Sequence, residues 1–227
     1  MMLLSVARPE RRTESRAQTR RRLLVTGRRA FARKGLAGTH LRDDILVPAG
    51  VSVGSFYHQF RDKTDLFLAI LEEHSETFRA MIRDAHSPAA GATPSDVARH
   101  SFATVFRVAD DNDDLFRIMF RERESDNPRV RAYLRDNRQR WIDSLSADYR
   151  RTGMIGARDT STAALAAELI SALTAGAVLT YLDTPTAERA RRRARLINGL
   201  VCFVLGGVPA LVDGAARLTP KRRKGAR

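Results

Sequence analysis

The chain has 227 residues, of which 43% are hydrophobic, and a formal net charge of +14 at pH 7. This length is enough for one or two globular domains with a buried core. A single cysteine, Cys202, excludes an internal disulfide framework, and no stretch of about 18 apolar residues predicts a membrane helix, so we expect a cytoplasmic protein without a membrane partner.

The positive charge lies mainly at the two ends. Residues 1–34 contain eleven Arg or Lys and two Glu, and residues 217–227 contain six Arg or Lys and no acid. Residues 35–216 carry a net charge of −1. Such ends either bind polyanions or remain solvated. We predict a disordered basic arm over residues 1–16 and a basic tail over residues 213–227.

Two helices are predicted first. One begins at about Ala17, carries apolar residues at helical spacing, and ends at Gly35, because glycine is the usual residue after a helix C-terminus. Thr39 is then expected to cap a second helix. Pro48 disfavours helix at the preceding residue, so this second helix is predicted to end by Leu46 or Val47.

A tight turn and a very short helix follow at residues 49–63. Gly50 can adopt the positive φ of a sharp turn, and Ser52 is a good N-cap. Phe56 and Phe60 stand four residues apart and are expected to anchor one face in a core. The opposite face is small and polar, which suits insertion into a DNA groove.

These residues form a recognisable pattern. Gly50-Val51-Ser52, Gly54-Ser55-Phe56-Tyr57-His58, Phe60 and Lys63, with Phe31, Gly35 and Thr39 upstream, resemble the N-terminal domain of TetR-family transcriptional regulators. The resemblance covers roughly residues 17 to 75 and implies a helix-turn-helix DNA-binding domain over residues 17–77. One residue more than the family pattern stands between Thr39 and Gly50, which leaves open whether Arg42 or a neighbour faces DNA.

The resemblance also implies which residues contact DNA. Thr39, Tyr57 and Lys63 would position the phosphate backbone, while the third helix lies against base edges. Val53 has no hydrogen-bonding group and could sense only a thymine methyl. The full predicted set is Thr39, Arg42, Ser52, Val53, Gly54, Ser55, Tyr57, His58 and Lys63.

The rest of the chain is predicted to form further helices. No strand alternation or repeat is present, so the predicted fold is all-α, with about nine helices and a C-terminal effector-binding and dimerisation domain over residues 78–212. The helices are predicted at Asp62 to about His86, Pro94 to Val108, Leu115–Arg123, from Pro128 to Tyr149, Ala163–Leu182 and Ala187–Leu205, the last stopped by Gly206-Gly207-Val208-Pro209.

An effector chamber is predicted between the middle helices, as the family often has, although most of these aromatic residues could equally be ordinary core. A small apolar molecule is the expected effector, and its identity is left open. The predicted lining is Phe78, Phe102, Phe106, Phe116, Phe120, Trp141 and Leu173.

The last two helices are the predicted dimer interface. Their alanines and Gly176 permit close helix approach, and they carry more apolar area than one helix face needs, unless both helices are simply core. An isologous four-helix contact would pair two DNA-binding domains on a palindromic operator. The interface residues are predicted to be Leu169, Leu173, Gly176, Leu196, Leu200, Phe203 and Val204.

Few residues of the sequence indicate a catalytic or metal-binding site. Glu73 and His74 in the cluster Glu72-Glu73-His74-Glu76 are adjacent and do not share a helix face. Cys202 lies in an apolar helix where a buried thiol is usually inert, and no nucleophile elbow or phosphate loop is present.

We therefore expect no catalytic residue, cofactor or metal, and predict a homodimeric repressor that is nucleoid-associated when bound to DNA. The alternatives are an architectural DNA-binding protein that uses its basic arms and a helical enzyme with a degenerate DNA domain.

Overall fold

The computed structural model describes residues 8–87 and 91–218, with side chains described over 16–87 and 91–209. Within these residues the chain forms nine α-helices and no strand, which confirms the predicted all-α class. A π-helical turn, Leu41–Leu46, precedes the second helix, and a 3-10 turn, Glu122–Glu124, follows the sixth. The helices are α1 (Arg8–Gly38), α2 (Val47–Ala49), α3 (Val53–Tyr57), α4 (Lys63–Ala85), α5 (Pro94–Asp111), α6 (Asp113–Arg121), α7 (Pro128–Arg151), α8 (Thr160–Leu182) and α9 (Thr186–Leu218).

The chain divides into two compact units. The first unit contains the residues up to Glu76 together with Asp114–Arg135, and the second contains Thr77–Asp113 together with the residues from Asp136 onward. Residues 114–135 are predicted from the sequence to belong to the C-terminal domain. In the structure they lie in the first unit, because the buried side chains of Leu115, Ile118 and Val130 are part of its core.

The core of the first unit is built around α1. Phe31 meets Phe67 of α4 edge to face, with ring centroids 5.1 Å apart. Gly27 allows α1 and α4 to approach closely, since a Cβ atom there would lie 3.0 Å from Leu66 Cδ2. Glycine here costs about 1 kcal/mol of helix propensity relative to alanine, but it permits this closer contact.

Helix α6 is attached to α1 at both of its ends. At the start, Arg28 of α1 donates to both carboxylate oxygens of Asp114 at 2.7 and 2.6 Å. At the end, Arg121 Nη2 donates to the carbonyl of Phe31 at 2.5 Å, and Glu122 Oε1 accepts the backbone N–H of Leu36 at 3.1 Å. That N–H is free because the helix is broken one residue earlier, at the predicted Gly35 (φ 71°, ψ 174°).

The structure corrects the predicted ends of the first and last helices. Helix α1 begins at Arg8, so residues 8–16, predicted to be disordered, are helical. Arg and Glu are good helix formers, and the only proline nearby, Pro9, stands at the first turn, where it is tolerated. Residues 1–7 of the predicted arm lie outside the described residues.

Helix α9 does not stop at residues 206–209 but continues to Leu218 with Pro209 inside it. The buried face of the helix runs past the two glycines, because Val204 and Val208 are both buried. Packing of this face outweighs the low helix propensity of glycine and proline. Of the predicted basic tail, residues 219–227 lie outside the described residues.

In the second unit, α9 packs against both α5 and α8. Asp110 of α5 links them, because it accepts the Tyr181 hydroxyl at 2.6 Å and the Arg193 guanidinium at 2.8 Å. Burial, with this hydrogen bond to Asp110, raises the pKa of Tyr181 to about 12. Phe106 contacts the Tyr181 ring edge to face at 5.1 Å. The three helices are therefore held by one polar and aromatic cluster.

Candidate nucleic-acid interface

Helix α3 is short and has two chemically different sides. Phe56 and Phe60 are buried, as predicted, with ring centroids 5.8 Å apart. On the other side the side chains of Val53 and Tyr57 are 53% and 57% exposed. His58 is also exposed. An apolar anchor thus holds a small polar surface outward, where it can meet the edges of bases.

The start of α3 is fixed by the turn before it. Gly50 adopts φ 60° and ψ 41°, the left-handed conformation predicted for it. Ser52 caps the helix, as predicted, by accepting the backbone N–H of Ser55 at 3.2 Å, and its hydroxyl also donates to Ser55 Oγ at 2.9 Å. Ser52, Gly54 and Ser55 are all exposed, so this end of α3 presents two hydroxyls and a bare backbone.

The extra residue before Gly50 is accommodated as a π-helical turn. The N–H of Val47 bonds to the carbonyl of Arg42, five residues back, instead of the four of an α-helix. The helix then continues through Val47–Ala49 with Pro48 in its first turn. The prediction that this helix ends by Leu46 or Val47 is wrong, because proline is tolerated in a first turn and Ala49 is buried.

Thr39 does not cap this helix, contrary to the prediction. It is buried, and its hydroxyl donates to the carbonyl of Gly35 at 2.6 Å. His40 occupies the cap position, and its N–H is bound at 2.8 Å by Asp44, which also accepts Lys34 Nζ at 2.7 Å. The Lys34 contact and the His40 N–H hold the pKa of Asp44 below its usual range. The Thr39 side chain is therefore not on the surface, whereas Arg42 is exposed.

Lys63, the remaining predicted contact, bonds within the first unit. Its ammonium donates to the carbonyl of Thr39 at 2.5 Å. Burial lowers the pKa of Lys63, and the nearby charge of Asp44 opposes that shift. An ammonium has three donors, so two remain for a phosphate oxygen. Lys63 can therefore bind a phosphate oxygen while its ammonium stays hydrogen-bonded to the carbonyl of Thr39.

The early part of α1 lies beside the end of α3. Gln59 Nε2 donates to the carbonyl of Arg16 at 3.3 Å, and the Arg20 guanidinium lies 4.8 Å from the centre of the Phe60 ring. Arg16, Arg20 and Arg21 are exposed. Sequence reasoning treated these arginines as part of, or next to, a separate arm. In the structure Arg16 and Arg20 lie beside Gln59 and Phe60, directly after α3.

The seven predicted effector-pocket residues do not come together in one unit. Phe116 and Phe120 belong to the first unit, because α6 packs on α1, whereas the other five belong to the second. Phe102 and Phe106 are buried core residues. Phe78 and Trp141 are half-buried and stacked, with ring centroids 5.0 Å apart and planes 7° from parallel. Five of the seven residues therefore lie in the second unit, and the effector pocket itself stays a prediction.

The predicted dimer residues separate into exposed and buried groups. Leu169, Leu173 and Phe203 are 53%, 40% and 70% exposed, and Gly176 is also exposed. Leu200 and Val204 are buried within the protomer because their side of α9 faces its core, and Leu196 is half-buried. Exposed Leu165 and Leu205 extend the exposed group, and sequence reasoning missed them. We call Leu165, Leu169, Leu173, Gly176, Phe203 and Leu205 the apolar surface.

Helix α8 is long and apolar. An 18-residue window of Thr160–Leu182 has a mean hydropathy of 1.7, so by length and composition alone this helix could cross a membrane. Serines, threonines and a glutamate interrupt the apolar run, and core helices of soluble proteins can have the same length and hydropathy. Only 28% of the window is buried, so α8 leaves apolar side chains exposed.

The metal and nucleophile candidates remain separate. Over the described ranges, no group of three or more His, Cys, Asp or Glu side chains is arranged to hold a metal ion. His74 is half-buried beside Phe116, with ring centroids 5.8 Å apart. Cys202, expected to be buried, is exposed, because it lies on the side of α9 opposite Val201 and Val204.

Comparison with known proteins agrees with this geometry. The family model described as "Bacterial regulatory proteins, tetR family" matches residues 23–70. Those residues contain α1 from Leu23, the π-helical turn, α2, α3 and the first part of α4. The predicted resemblance is therefore confirmed over residues 23–70.

Solved structures extend the similarity to most of the chain. Salmonella enterica GusR is 27% identical, with a TM-score of 0.66 and coverage of 86% of this chain and 95% of that one. A putative TetR-family regulator from Syntrophomonas wolfei is 18% identical, with a TM-score of 0.67 and coverage of 85% and 96%. FadR from Bacillus subtilis in complex with stearoyl-CoA is 17% identical, with a TM-score of 0.66 and coverage of 82% and 98%. The chain thus has the fold of TetR-family transcriptional regulators.

Proposed function

We propose that this chain, which has the fold of TetR-family regulators, is a sequence-specific transcriptional repressor. It acts as a homodimer and releases a palindromic operator when it binds a small apolar effector. The observation that carries the proposal is α3, where buried Phe56 and Phe60 hold Tyr57 and His58 outward. Such a regulator works in the cytoplasm and is nucleoid-associated when bound to DNA.

The exposed side of α3 is suited to reading base edges. The hydroxyls of Ser55 and Tyr57 and the imidazole of His58 can each donate and accept hydrogen bonds. Val53, exposed at the start of the helix, offers a methyl contact for thymine. Gly54 has no side chain and no neighbour within 4 Å of an added Cβ, so the backbone there can approach DNA closely.

Phosphate contacts would come from the cations around α3. Arg16, Arg20 and Arg21 are exposed on α1, and Lys63 lies at the start of α4. Contacts of this kind set affinity and register without reading sequence, and they make binding depend on salt. Residues 1–16, part of the same basic segment of the chain, would add to the backbone contacts.

Dimerisation follows from the small reach of α3. A helix of five residues contacts only a few base pairs, too few to select one genomic site against non-specific DNA. Two copies related by a two-fold axis double the number of base pairs read. The apolar surface is the part of the second unit that a second copy would cover, because Leu169, Leu173 and Phe203 are exposed there without a polar role.

The effector would bind in the second unit, near the stacked pair of Phe78 and Trp141. Trp141 Nε1 donates to Ser171 Oγ at 3.0 Å. One helical turn along α8, Thr174 Oγ1 is buried and has no hydrogen-bond partner among the residues that the structure describes. A buried hydroxyl without a partner costs stability, so a polar group on the effector would be bound favourably there. The stearoyl-CoA in the FadR structure is a ligand of that protein, and we extend only its apolar character to this chain.

The test is selection of duplexes from random sequence, followed by footprinting of the enriched duplexes. A repressor of this type should enrich one inverted repeat and protect it with a sharp boundary. Uniform protection of every duplex would instead support the architectural alternative. A third result, with no DNA binding at any salt concentration, would favour the helical enzyme and contradict the proposal.

A further inference from the structure

The first unit contains a cleft on the side of α1 that faces the π-helical turn. Its volume is about 500 Å³, and it is lined by Thr26, Arg29, Ala32, Arg33, Asp44, Pro48 and Asp114. This volume lies within the range of small-molecule sites. None of the predicted DNA-contacting residues belongs to the lining.

The two acidic residues in the lining are already bound by groups outside the cleft. Both oxygens of Asp114 are bound by Arg28. The two oxygens of Asp44 are bound by Lys34 Nζ and by the His40 N–H. Neither carboxylate therefore has to be paired by an arginine of the cleft.

The positive charges of Arg29 and Arg33 are therefore not neutralised by the carboxylates of the cleft. Neither has an ion-pair partner within the described part of the chain, and both are exposed. They stand four residues apart on α1, so their side chains project from neighbouring turns of one helix face. Thr26 lies on the same face, three residues before Arg29, and adds a hydroxyl.

We infer that this cleft is a binding site for the phosphate group of a phosphorylated molecule. One guanidinium can satisfy both oxygens of a carboxylate, whereas a phosphate has three free oxygens and can accept two guanidinium groups and a hydroxyl together. Ala32 and Pro48 supply an apolar wall for the remainder of the ligand. Pro48, which lies in the first turn of the helix after the π-helical turn, forms part of the edge of the cleft.

The same chemistry has two sources, a free phosphorylated molecule or the backbone of DNA. The experiment is isothermal titration of the full chain with inorganic pyrophosphate at low ionic strength. We expect saturable binding with one site per chain. Arg29→Gln and Arg33→Gln should each weaken it about tenfold, as expected for the loss of one charged hydrogen-bonding group, and the double variant should abolish it.

The matched control is the double variant Arg191→Gln/Arg195→Gln, which removes two exposed arginines at the same four-residue spacing on α9 and should leave pyrophosphate binding unchanged. Absence of saturable binding, or equal weakening in the control, would overturn the inference.

A second titration with a 20-base-pair duplex present distinguishes a free phosphorylated ligand from the phosphates of DNA. Unchanged affinity for pyrophosphate identifies a free ligand, whereas competition, with weaker DNA binding by the Arg29/Arg33 variant, identifies backbone phosphates. Failure of the proposed repressor function would instead appear only in the duplex selection.

Discussion

Arg28 of α1 forms a bidentate ion pair with Asp114 of α6, with N–O distances of 2.7 and 2.6 Å. Burial alone would raise the pKa of Asp114, but the hydrogen bonds from Arg28 and its charge lower it overall. The pair fastens the first turn of α6 to the helix that carries the arginines beside α3. The start of α6 is therefore held to α1 by a charged contact as well as by apolar packing.

The Arg28–Asp114 pair should contribute measurably to stability. In a double-mutant cycle with Arg28→Met and Asp114→Asn, we expect a coupling of about 1 kcal/mol, because both side chains are about one-third exposed and water screens part of the attraction. Urea unfolding followed by circular dichroism measures it. The control cycle is Arg123→Met with Glu124→Gln, an exposed pair 3.9 Å apart. Equal coupling in the two cycles would contradict the role given to the Arg28 pair.

His74 should make the first unit sensitive to mild acid. Burial, and then the charge of Arg28, lower the pKa of His74 to about 4, while Asp114 opposes this shift. The unfolded chain, with an ordinary histidine pKa of about 6.5, takes up a proton first. Stability is thus complete above about pH 6.5 and decreases toward pH 4, by on the order of 2 kcal/mol.

The measurement is the free energy of unfolding of wild type and His74→Phe between pH 4 and 7. The variant should show a flatter dependence in this window, because phenylalanine can keep the contact with Phe116 without binding a proton. His100→Phe, which changes an exposed histidine, serves as the control and should match wild type. A variant curve parallel to that of wild type would show that His74 is not the responsible group.

Tyr57 and His58 should determine which sequence is bound. Tyr57→Ala with His58→Ala is expected to weaken binding to the selected duplex by about 2 kcal/mol or more, because each base contact is worth roughly 1–3 kcal/mol. Binding to random duplex should change little. Fluorescence anisotropy at fixed salt measures both affinities. Lys63→Met is the comparison, and should weaken both duplexes alike and reduce the salt slope by about one. Equal loss on both duplexes in the Tyr57/His58 variant would rule out base reading.

The π-helical turn should tolerate deletion of one residue. Removing exposed Asp43 would place Asp44 three residues after His40, which is the spacing of a capping box. We expect a folded variant with a thermal midpoint within a few degrees of wild type, since the turn can become α-helical. Deleting buried Ile45 instead should unfold the first unit. Circular dichroism melts compare them, and equal destabilisation by the two deletions would contradict the idea that Asp43 is the inserted residue.

The apolar surface should hold two copies together. Leu169→Glu with Phe203→Glu is expected to give soluble, folded monomers, because both side chains are exposed in the protomer. Leu200→Glu is a poor test, since Leu200 is buried and its change would damage the fold itself. Sedimentation at micromolar concentration measures the mass. If the double variant remains dimeric, the interface lies elsewhere, and binding of the wild-type chain to lipid vesicles would assign the surface to a membrane.

Much of the DNA-binding domain could be predicted because its signals are local. Gly50 at a left-handed turn, Ser52 as a cap, and Phe56 with Phe60 on one face depend on residues only a few positions apart. The helix break at Gly35 has the same origin. Residues that act through their near neighbours leave a readable spacing in the sequence.

Predictions failed where spacing does not decide which partner a group takes or which side chain is buried. The Thr39 hydroxyl bonds to the Gly35 carbonyl and Asp44 binds the His40 N–H, although both contacts span only four residues. The position of Phe116 and Phe120 in the first unit is likewise not readable from the sequence, since it depends on the contacts of α6 with α1. Leu200 and Phe203 have equal apolarity in sequence, yet one is buried and the other exposed.

The sequence alone therefore determined the helical class and the family resemblance, because periodicity, capping and turn chemistry are properties of short segments. Tertiary structure decided how the extra residue before Gly50 is absorbed, which unit α6 joins, and which arginines remain without a carboxylate. Those outcomes depend on the competition among side chains more than 80 residues apart, such as Arg28 and Asp114. No local pattern encodes that competition.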